Sequence, residues 1–267
     1  MSGKRRPTRS GNFKNGSPRG FMRIRRKRPR GFMRKYNHQK GEIFIKPKLI
    51  IAAAFAVFIL LGLQSAATET APEREIDFNK PMIAITFDDG PSKKTTPTVL
   101  AALKKHNVRA TFFTVGENAE KNPALLKEIY EAGHEIGNHT YSHPNLRSLS
   151  LEEIKEELSR TDKIICEITG YTPLVIRAPG GRVNSSVESA DPRPFISWTV
   201  DTLDWKHRDT DRIIAFIETA PLKDGDVILM HDIHKASAAA VDRVIEILKE
   251  RGFELVTVSE LMLFRGE

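Results

Sequence analysis

The sequence predicts an α/β fold, in which a parallel sheet or barrel carries helices on its outside. From Pro81 onward, short apolar segments rich in β-branched residues alternate with helical patterns. Polar clusters follow directly after several of these segments, where the sites of α/β proteins form. The predicted strands are residues 82–87, 110–115, 135–138, 174–177, 195–200, 226–230 and 253–258.

Helix boundary signals lie between these strands. Pro123 predicts a helix start and Gly133 its end. A Ser-x-x-Glu pattern at Ser150 is a capping box for a long helix that ends near Gly170. Two more helices are predicted at 209–220 and 237–251.

The charge of the chain is divided unevenly. Residues 1–48 hold 17 Lys and Arg and one acidic residue, for a net charge of +16, whereas residues 49–267 carry −8. The basic segment shows no apolar period, so we expect a disordered cytoplasmic tail. Its charge favours a topogenic signal, which keeps this end of the chain in the cytosol, over a segment that binds anionic lipid or RNA. The folded part is acidic, so no nucleic-acid partner is expected for it.

An apolar segment follows the basic tail. Residues 49–63 are continuously apolar, and weakly polar residues extend the segment to 67. Such a helix spans about 28 Å, close to the hydrocarbon thickness of a bilayer. We expect a transmembrane signal-anchor at 49–67, with a cleaved signal peptide as the alternative. Residues 68–80 are polar and indicate a linker to a catalytic domain at 81–267.

The cysteine count limits the chemistry. Cys166 is the single cysteine, which excludes an intramolecular disulfide and a cysteine-rich zinc site. Without disulfides, the stability of an exported domain would depend on core packing. A metal site would be built from Asp and His side chains. Cys166 itself lies in the predicted long helix, and we expect it in the core.

Two clusters contain residue types that bind divalent metals. Asp88 and Asp89 follow the first strand, although such a pair alone is often a polar turn. Side chains at adjacent positions diverge, so one carboxylate can bind a metal while the other meets substrate or water. His139 and His143, four residues apart on one helical turn, can share that ion. Two histidines and one aspartate leave open positions, as a catalytic zinc site requires.

Three further clusters supply charged groups and hydrogen-bond donors. Arg177 ends the fourth predicted strand, where a guanidinium can keep a neighbouring carboxylate ionised. Gly180 and Gly181 leave backbone N–H groups accessible to an oxyanion. His231 directly follows the sixth predicted strand and needs a carboxylate partner, which an aspartate after the neighbouring strand, Asp201 or Asp204, can supply.

Together the five clusters resemble the motifs of the polysaccharide deacetylase family, the NodB-like carbohydrate esterases of family 4, over about residues 80–263. The motifs are TFDDGP at 86–91, HTYSH at 139–143, RAPGG at 177–181, DTLDW at 201–205 and LMH at 229–231. The resemblance implies a distorted barrel of seven β/α units. It also implies a divalent metal, with zinc favoured over cobalt, and hydrolysis of N-acetyl groups on a GlcNAc-type polymer.

The resemblance assigns a role to each motif residue. Asp88 would be the general base, held by Arg177. His231 would be the general acid, tuned by Asp204. The metal ligands would be Asp89, His139 and His143.

The resemblance also places residues around the substrate. Trp205 and Leu229 would line the pocket for the acetyl methyl group. Gly180 and Gly181 stand where many relatives have a tyrosine after the proline, so the backbone donor is retained and nearby substrate contacts differ. Arg182 follows them and either approaches a carboxylate of the substrate or is simply solvated at the surface.

These features predict an enzyme of the cell membrane, with its catalytic domain outside, that deacetylates a cell-wall polysaccharide, with peptidoglycan GlcNAc favoured. Chitin oligomers, N-acetylmuramic acid and O-acetylated xylan are alternatives that keep the same site. A different class is a catalytically inactive wall-binding module. Such a module would be free to lose the base, a metal ligand or the acid, and all of these residues are present.

Overall fold

A parallel sheet forms the centre of the computed structural model, which describes residues 76–265. The sheet order is β3-β2-β1-β5-β4, with β6 paired to the beginning of β1. These pairings are all parallel, which confirms the predicted α/β class. The strands are β1 (Met82–Asp88), β2 (Thr111–Thr114), β3 (Glu135–Asn138), β4 (Val200–Asp201), β5 (Asp226–His231) and β6 (Glu254–Val256).

Two single-residue bridges connect β3 to the β4 side of the sheet and give a distorted barrel. Asn138 bridges Ile176, and Ile176 bridges Phe195, from which the chain continues to β4. The predicted strands at 174–177 and 195–200 are therefore wrong in extent. Proline limits the first of them. The N–H of Ile176 donates to the carbonyl of Pro194, but the nitrogen of Pro194 carries no hydrogen and cannot donate to the ladder in return.

The helices cover the outside of the sheet, largely where the sequence predicts them. The capping box at Ser150 is present, and Gly170 ends that helix in a left-handed conformation. The C-terminal helix begins at Val258, which the sequence assigns to the last strand. The helices are α1 (Thr96–His106), α2 (Gly116–Lys121), α3 (Pro123–Glu131), α4 (Leu151–Thr169), α5 (Ser185–Glu188), α6 (Asp204–His207), α7 (Thr210–Thr219), α8 (Lys235–Glu250) and α9 (Val258–Arg265).

The long strand β1 separates two apolar cores. Ile83, Ile85 and Phe87 belong to the cluster that includes the helices outside the sheet. Met82 and Ala84 belong to a second cluster, inside the barrel. Because side chains alternate along a strand, Thr86 and Asp88 continue the inner face of β1. The inner face therefore changes from apolar to polar toward the carboxyl end of β1.

Cys166 is exposed on α4, so the expected core position is wrong. The buried positions of α4 follow a helical period and include Leu158 and Ile165. Cys166 follows Ile165 by one residue, about 100° further round the helix, and so faces solvent.

The predictions for the N-terminal part lie outside the described residues. They are the basic tail 1–48, the anchor 49–67 and most of the linker 68–80. Between residues 76 and 265, no helix combines the length and apolar character needed to cross a membrane.

Candidate active site

The carboxyl ends of β1 and β5 lie side by side, and each ends in a predicted catalytic residue. The parallel register pairs Asp88 with His231 and Thr86 with Leu229. Both strands end where α/β folds place their sites. The fold thus brings the predicted base and the predicted acid together from two distant motifs.

Arg177 is a fully buried cation beside the end of β1. Its Nη1 donates to Asp88 Oδ1 and to Thr86 Oγ1, each at 2.7 Å. Its Nε and Nη2 donate to the carbonyls of Ile196 and Ser197 at 3.2 and 3.1 Å. Burial lowers the pKa of Arg177, and the charge of Asp88 opposes that effect. The additional hydrogen bonds satisfy the guanidinium, so Arg177 can hold Asp88 in one orientation.

The three predicted metal ligands form one cluster. Asp89, His139 and His143 each offer a ligand atom, and these atoms lie within 4.8 Å of one another. Asp89 Oδ1 lies 3.2 Å from Nε2 of His143 and 3.5 Å from Nε2 of His139. This oxygen is buried and receives no hydrogen bond from the described residues. An unsatisfied carboxylate oxygen facing two imidazole nitrogens suits zinc or a similar cation, so the residues fit a metal ion.

A backbone carbonyl determines which nitrogen of His139 faces the cluster. Nδ1 of the buried His139 ring lies 2.7 Å from the carbonyl oxygen of Arg177. Nδ1 therefore carries the proton, and the lone pair of Nε2 is directed to Asp89. This is the tautomer that a metal ligand requires.

The loop that carries the histidines is attached to α4 by Glu157. Oε2 of Glu157 accepts hydrogen bonds from the backbone N–H groups of Tyr141 and Ser142, both at 2.8 Å. Thr140 and His143 have φ angles of 67° and 59°. Residues other than glycine keep this left-handed backbone only where their surroundings impose it. Glu157 supplies part of that restraint.

The cluster is electrostatically coupled. Burial raises the pKa of Asp89, but the imidazoles of His139 and His143 outweigh burial and hold that pKa well below its usual range. Asp89 in turn raises the pKa of His143. The site therefore keeps an ionised carboxylate as one of its three ligand groups.

His231 is held by Asp204, as predicted. Nδ1 of His231 lies 2.8 Å from Asp204 Oδ1. Asp204 is fully buried, and Ser237 Oγ donates to its Oδ2 at 2.5 Å. Burial lowers the pKa of His231, but the hydrogen bond and charge of Asp204 raise it above its ordinary value. The predicted acid therefore stays protonated to a higher pH than a free histidine.

The glycine turn offers one of its two predicted donors. The N–H of Gly181 donates to the carbonyl of Ala178 at 2.9 Å and is used within the turn. The N–H of Gly180 has no hydrogen-bond partner among residues 76–265. Both glycines have positive φ, and a Cβ on Gly181 would lie 2.9 Å from Trp198. The turn therefore needs glycine, and Gly180 is the available donor.

The two residues predicted for the acetyl pocket differ in exposure. Leu229 is buried on β5, two residues before His231. Trp205 is 47% exposed, and its backbone N–H donates to Asp204 Oδ1 at 2.8 Å. Leu229 thus lies in the packed interior beside His231, whereas Trp205 is partly open to solvent.

Sequence reasoning missed several supporting residues. Thr86 contacts Arg177, Ser237 contacts Asp204, and Glu157 holds the loop between His139 and His143. Glu157 and Ser237 are common residue types with no distinctive pattern, and the position of Thr86 in the TFDDGP motif gives no sign of its contact with Arg177. Asp232 follows the LMH motif directly. It is fully buried, and its carboxyl group occupies the space that a Cβ on Gly90 would need.

The sequence model of the polysaccharide deacetylase family matches residues 75–192. A peptidoglycan-N-acetylglucosamine deacetylase of Listeria monocytogenes, PgdA, is 45% identical over 67% of this chain, which covers 38% of that protein. A peptidoglycan-N-acetylglucosamine deacetylase of Bacillus cereus is 41% identical, with 69% of each chain covered.

A solved structure shows the same fold. The peptidoglycan deacetylase PdaC of Bacillus subtilis superposes with a TM-score of 0.68 at 40% identity, covering 72% of this chain and 94% of the solved one. Its full-length sequence is named a peptidoglycan-N-acetylmuramic acid deacetylase, and this chain spans 40% of it. On this similarity of sequence and structure, the chain belongs to the polysaccharide deacetylase family.

Proposed function

We propose that this chain is a metal-dependent hydrolase that removes N-acetyl groups from the GlcNAc residues of peptidoglycan. One observation carries the proposal. Asp88, held by Arg177, and His231, held by Asp204, are paired across adjacent strands. Amide hydrolysis needs a base and an acid on two sides of the reacting carbon, and this pair supplies both.

Asp89, His139 and His143 would hold the metal, which polarises the amide carbonyl and activates water. The residues of the chain then handle the protons. Asp88 accepts the proton of the attacking water. The N–H of Gly180 donates a hydrogen bond to the developing oxyanion. His231 protonates the nitrogen, because an amide anion is too poor a leaving group to depart unassisted.

The names of the relatives support peptidoglycan as the substrate. The Listeria and Bacillus cereus relatives are named for GlcNAc in peptidoglycan, and PdaC is named for N-acetylmuramic acid. N-acetylmuramic acid is therefore the second candidate. Chitin oligomers and acetylated xylan keep the same chemistry and are the more distant alternatives.

An inactive wall-binding module is the alternative of a different class. The site geometry argues against it, since the base, the acid and their partners are held in register. Oδ1 of Asp89 also favours a working metal site, because a buried carboxylate oxygen without a hydrogen bond is costly to retain.

Membrane location is part of the proposal. It rests on the basic segment 1–48 followed by the apolar segment 49–67. Fractionation of cells that express the chain with a C-terminal tag tests it. We expect full-length protein in the membrane fraction, with the tag accessible to protease outside the cell. A shortened, released form would indicate cleavage of the anchor.

Acetate release tests the activity. The purified full-length chain is incubated with zinc or cobalt and with peptidoglycan, chitin oligomers or acetylated xylan. We expect acetate from peptidoglycan, and mass spectrometry of digested product to place the lost acetyl group on GlcNAc. Loss from muramic acid would support the second candidate, and no acetate from any substrate would contradict the enzyme proposal.

A further inference from the structure

The loops around the candidate site carry exposed, unpaired cations. All strands of the sheet are parallel, so the loops after their carboxyl ends surround Asp88 and His231. Six exposed basic residues of these loops form no ion pair within residues 76–265. We name this group the basic rim: Lys93, Lys94, Arg182, Lys206, Arg208 and Lys235.

Arg182 shows how close the rim comes to the reaction centre. Its Nε lies 3.6 Å from the position that a Cβ on Gly180 would occupy. Gly180 supplies the backbone donor proposed for the oxyanion. Lys206 lies on α6, two residues after Asp204. The rim therefore lies within the reach of a substrate that spans the site.

Basic residues elsewhere in the domain are often neutralised by acidic partners. Lys105 contacts Asp242 at 2.8 Å, and Arg193 contacts Asp162 at 2.6 Å. Residues 49–267 carry a net charge of −8, so the unpaired cations of the rim contrast with an acidic domain.

Most acidic side chains of the same loops accept hydrogen bonds or form ion pairs within the domain. Asp209 accepts two backbone hydrogen bonds at the start of α7, Glu117 pairs with Lys121, and Asp201 accepts from the backbone of Leu203. Glu188 remains an exposed counter-charge. Backbone hydrogen bonds orient these carboxylates but leave their charge, so the acidic residues of these loops offset the six rim cations only in part.

We infer that the basic rim recognises carboxylates carried by the glycan substrate, so that the enzyme prefers an anionic polymer to a neutral one. The inference rests on the proposed function and identifies the class of substrate for that site. Peptidoglycan carries carboxylates on its peptide stems, and on lactyl groups that lack a stem, whereas chitin and xylan backbones carry none. Complementary charge raises the local concentration of such a substrate and its association rate.

The test compares substrates that differ only in charge. Peptidoglycan fragments with free stem carboxylates are compared with the same fragments after amidation. The variant Lys94→Gln/Lys206→Gln removes two rim charges from loops after β1 and β4. The control Lys104→Gln/Lys223→Gln makes the same chemical change at exposed lysines near the opposite ends of the strands.

We expect the wild-type full chain to have a kcat/KM about tenfold higher on free than on amidated fragments at low salt. The rim variant should lose most of this preference and the control should keep it. High salt should abolish the preference in the wild type, because exposed charges are screened. Equal preference in rim variant and control would overturn the inference.

Binding separates this inference from the proposed activity. The same two fragments are titrated against full-length Asp88→Asn, with and without the rim substitutions. A charge-dependent difference in Kd that disappears with the rim substitutions supports the rim even if no acetate is released. Acetate release with no charge preference in rate or Kd would leave the proposed activity standing and reject the rim.

Discussion

Asp204 contacts His231 through both of its carboxylate oxygens. Oδ1 lies 2.8 Å from Nδ1 of the ring, and Oδ2 accepts the backbone N–H of His231 at 2.8 Å. The two contacts fix the ring and the strand end together. They leave Nε2 of His231 as the nitrogen available to a substrate.

Asp204→Asn should shift the pH dependence of the reaction. Asp204 raises the pKa of His231, and the acid must be protonated to act, so wild-type activity should persist above the usual titration of histidine. Without the negative charge the pKa falls, and the alkaline limb of kcat/KM moves to lower pH. We also expect kcat to fall by about 100-fold. Ser237→Ala, which keeps the charge, is the control and should move the limb less.

Asp88→Asn should abolish catalysis but keep metal binding. The substitution removes the proposed base, and we expect acetate release to fall by roughly 10²- to 10⁴-fold. Asn retains an oxygen that can accept from Arg177, so the fold should persist. Calorimetric titration should give a zinc Kd close to that of the wild type, because the ligand cluster is unchanged. Unchanged activity would remove Asp88 from the mechanism.

Removal of metal should lower thermal stability. Binding to the folded state alone contributes about 2.7 kcal/mol when free metal is a hundred times its Kd. We expect a chelator to lower Tm and zinc to restore it. The Tm of Asp89→Asn should change little with chelator or zinc. The Tm of His207→Ala, a substitution at an exposed histidine outside the cluster, should change as in the wild type. An identical zinc response in Asp89→Asn and wild type would place the metal elsewhere.

Asp232 should make stability depend on pH. Burial raises the pKa of Asp232 to about 7, while Thr96 Oγ1 donates to its Oδ2 at 2.5 Å. The folded state therefore binds the proton more tightly than the unfolded state, and this contribution to stability is lost as pH rises from about 4 to 7. The measurement is the free energy of unfolding in urea, with chelator present. The value for the wild type minus that for Asp232→Asn should fall as pH rises across this interval. A difference that is constant with pH would contradict the assignment.

The sequence predicts strands best where the hydrophobic pattern of one segment is enough to identify the strand. β1 and β5 are recognised by apolar runs that end in a polar motif, and the structure places them within one residue of the prediction. The segment around Ile176 has an apolar run as well, but Ile176 forms only two isolated bridges, to Asn138 and to Phe195. Its pairing depends on a partner interrupted by proline, which local hydrophobicity does not reveal.

The sequence by itself determined the α/β class, the ligand types available for a metal and the order of the motifs. These are local properties of residue type and spacing. Only the tertiary structure decided that Arg177 is wholly buried against Asp88, that Gly180 rather than Gly181 is the free donor, and that unpaired lysines surround the site. Such facts depend on contacts between distant segments, because burial and hydrogen-bond partners are set by packing and not by any one stretch of chain.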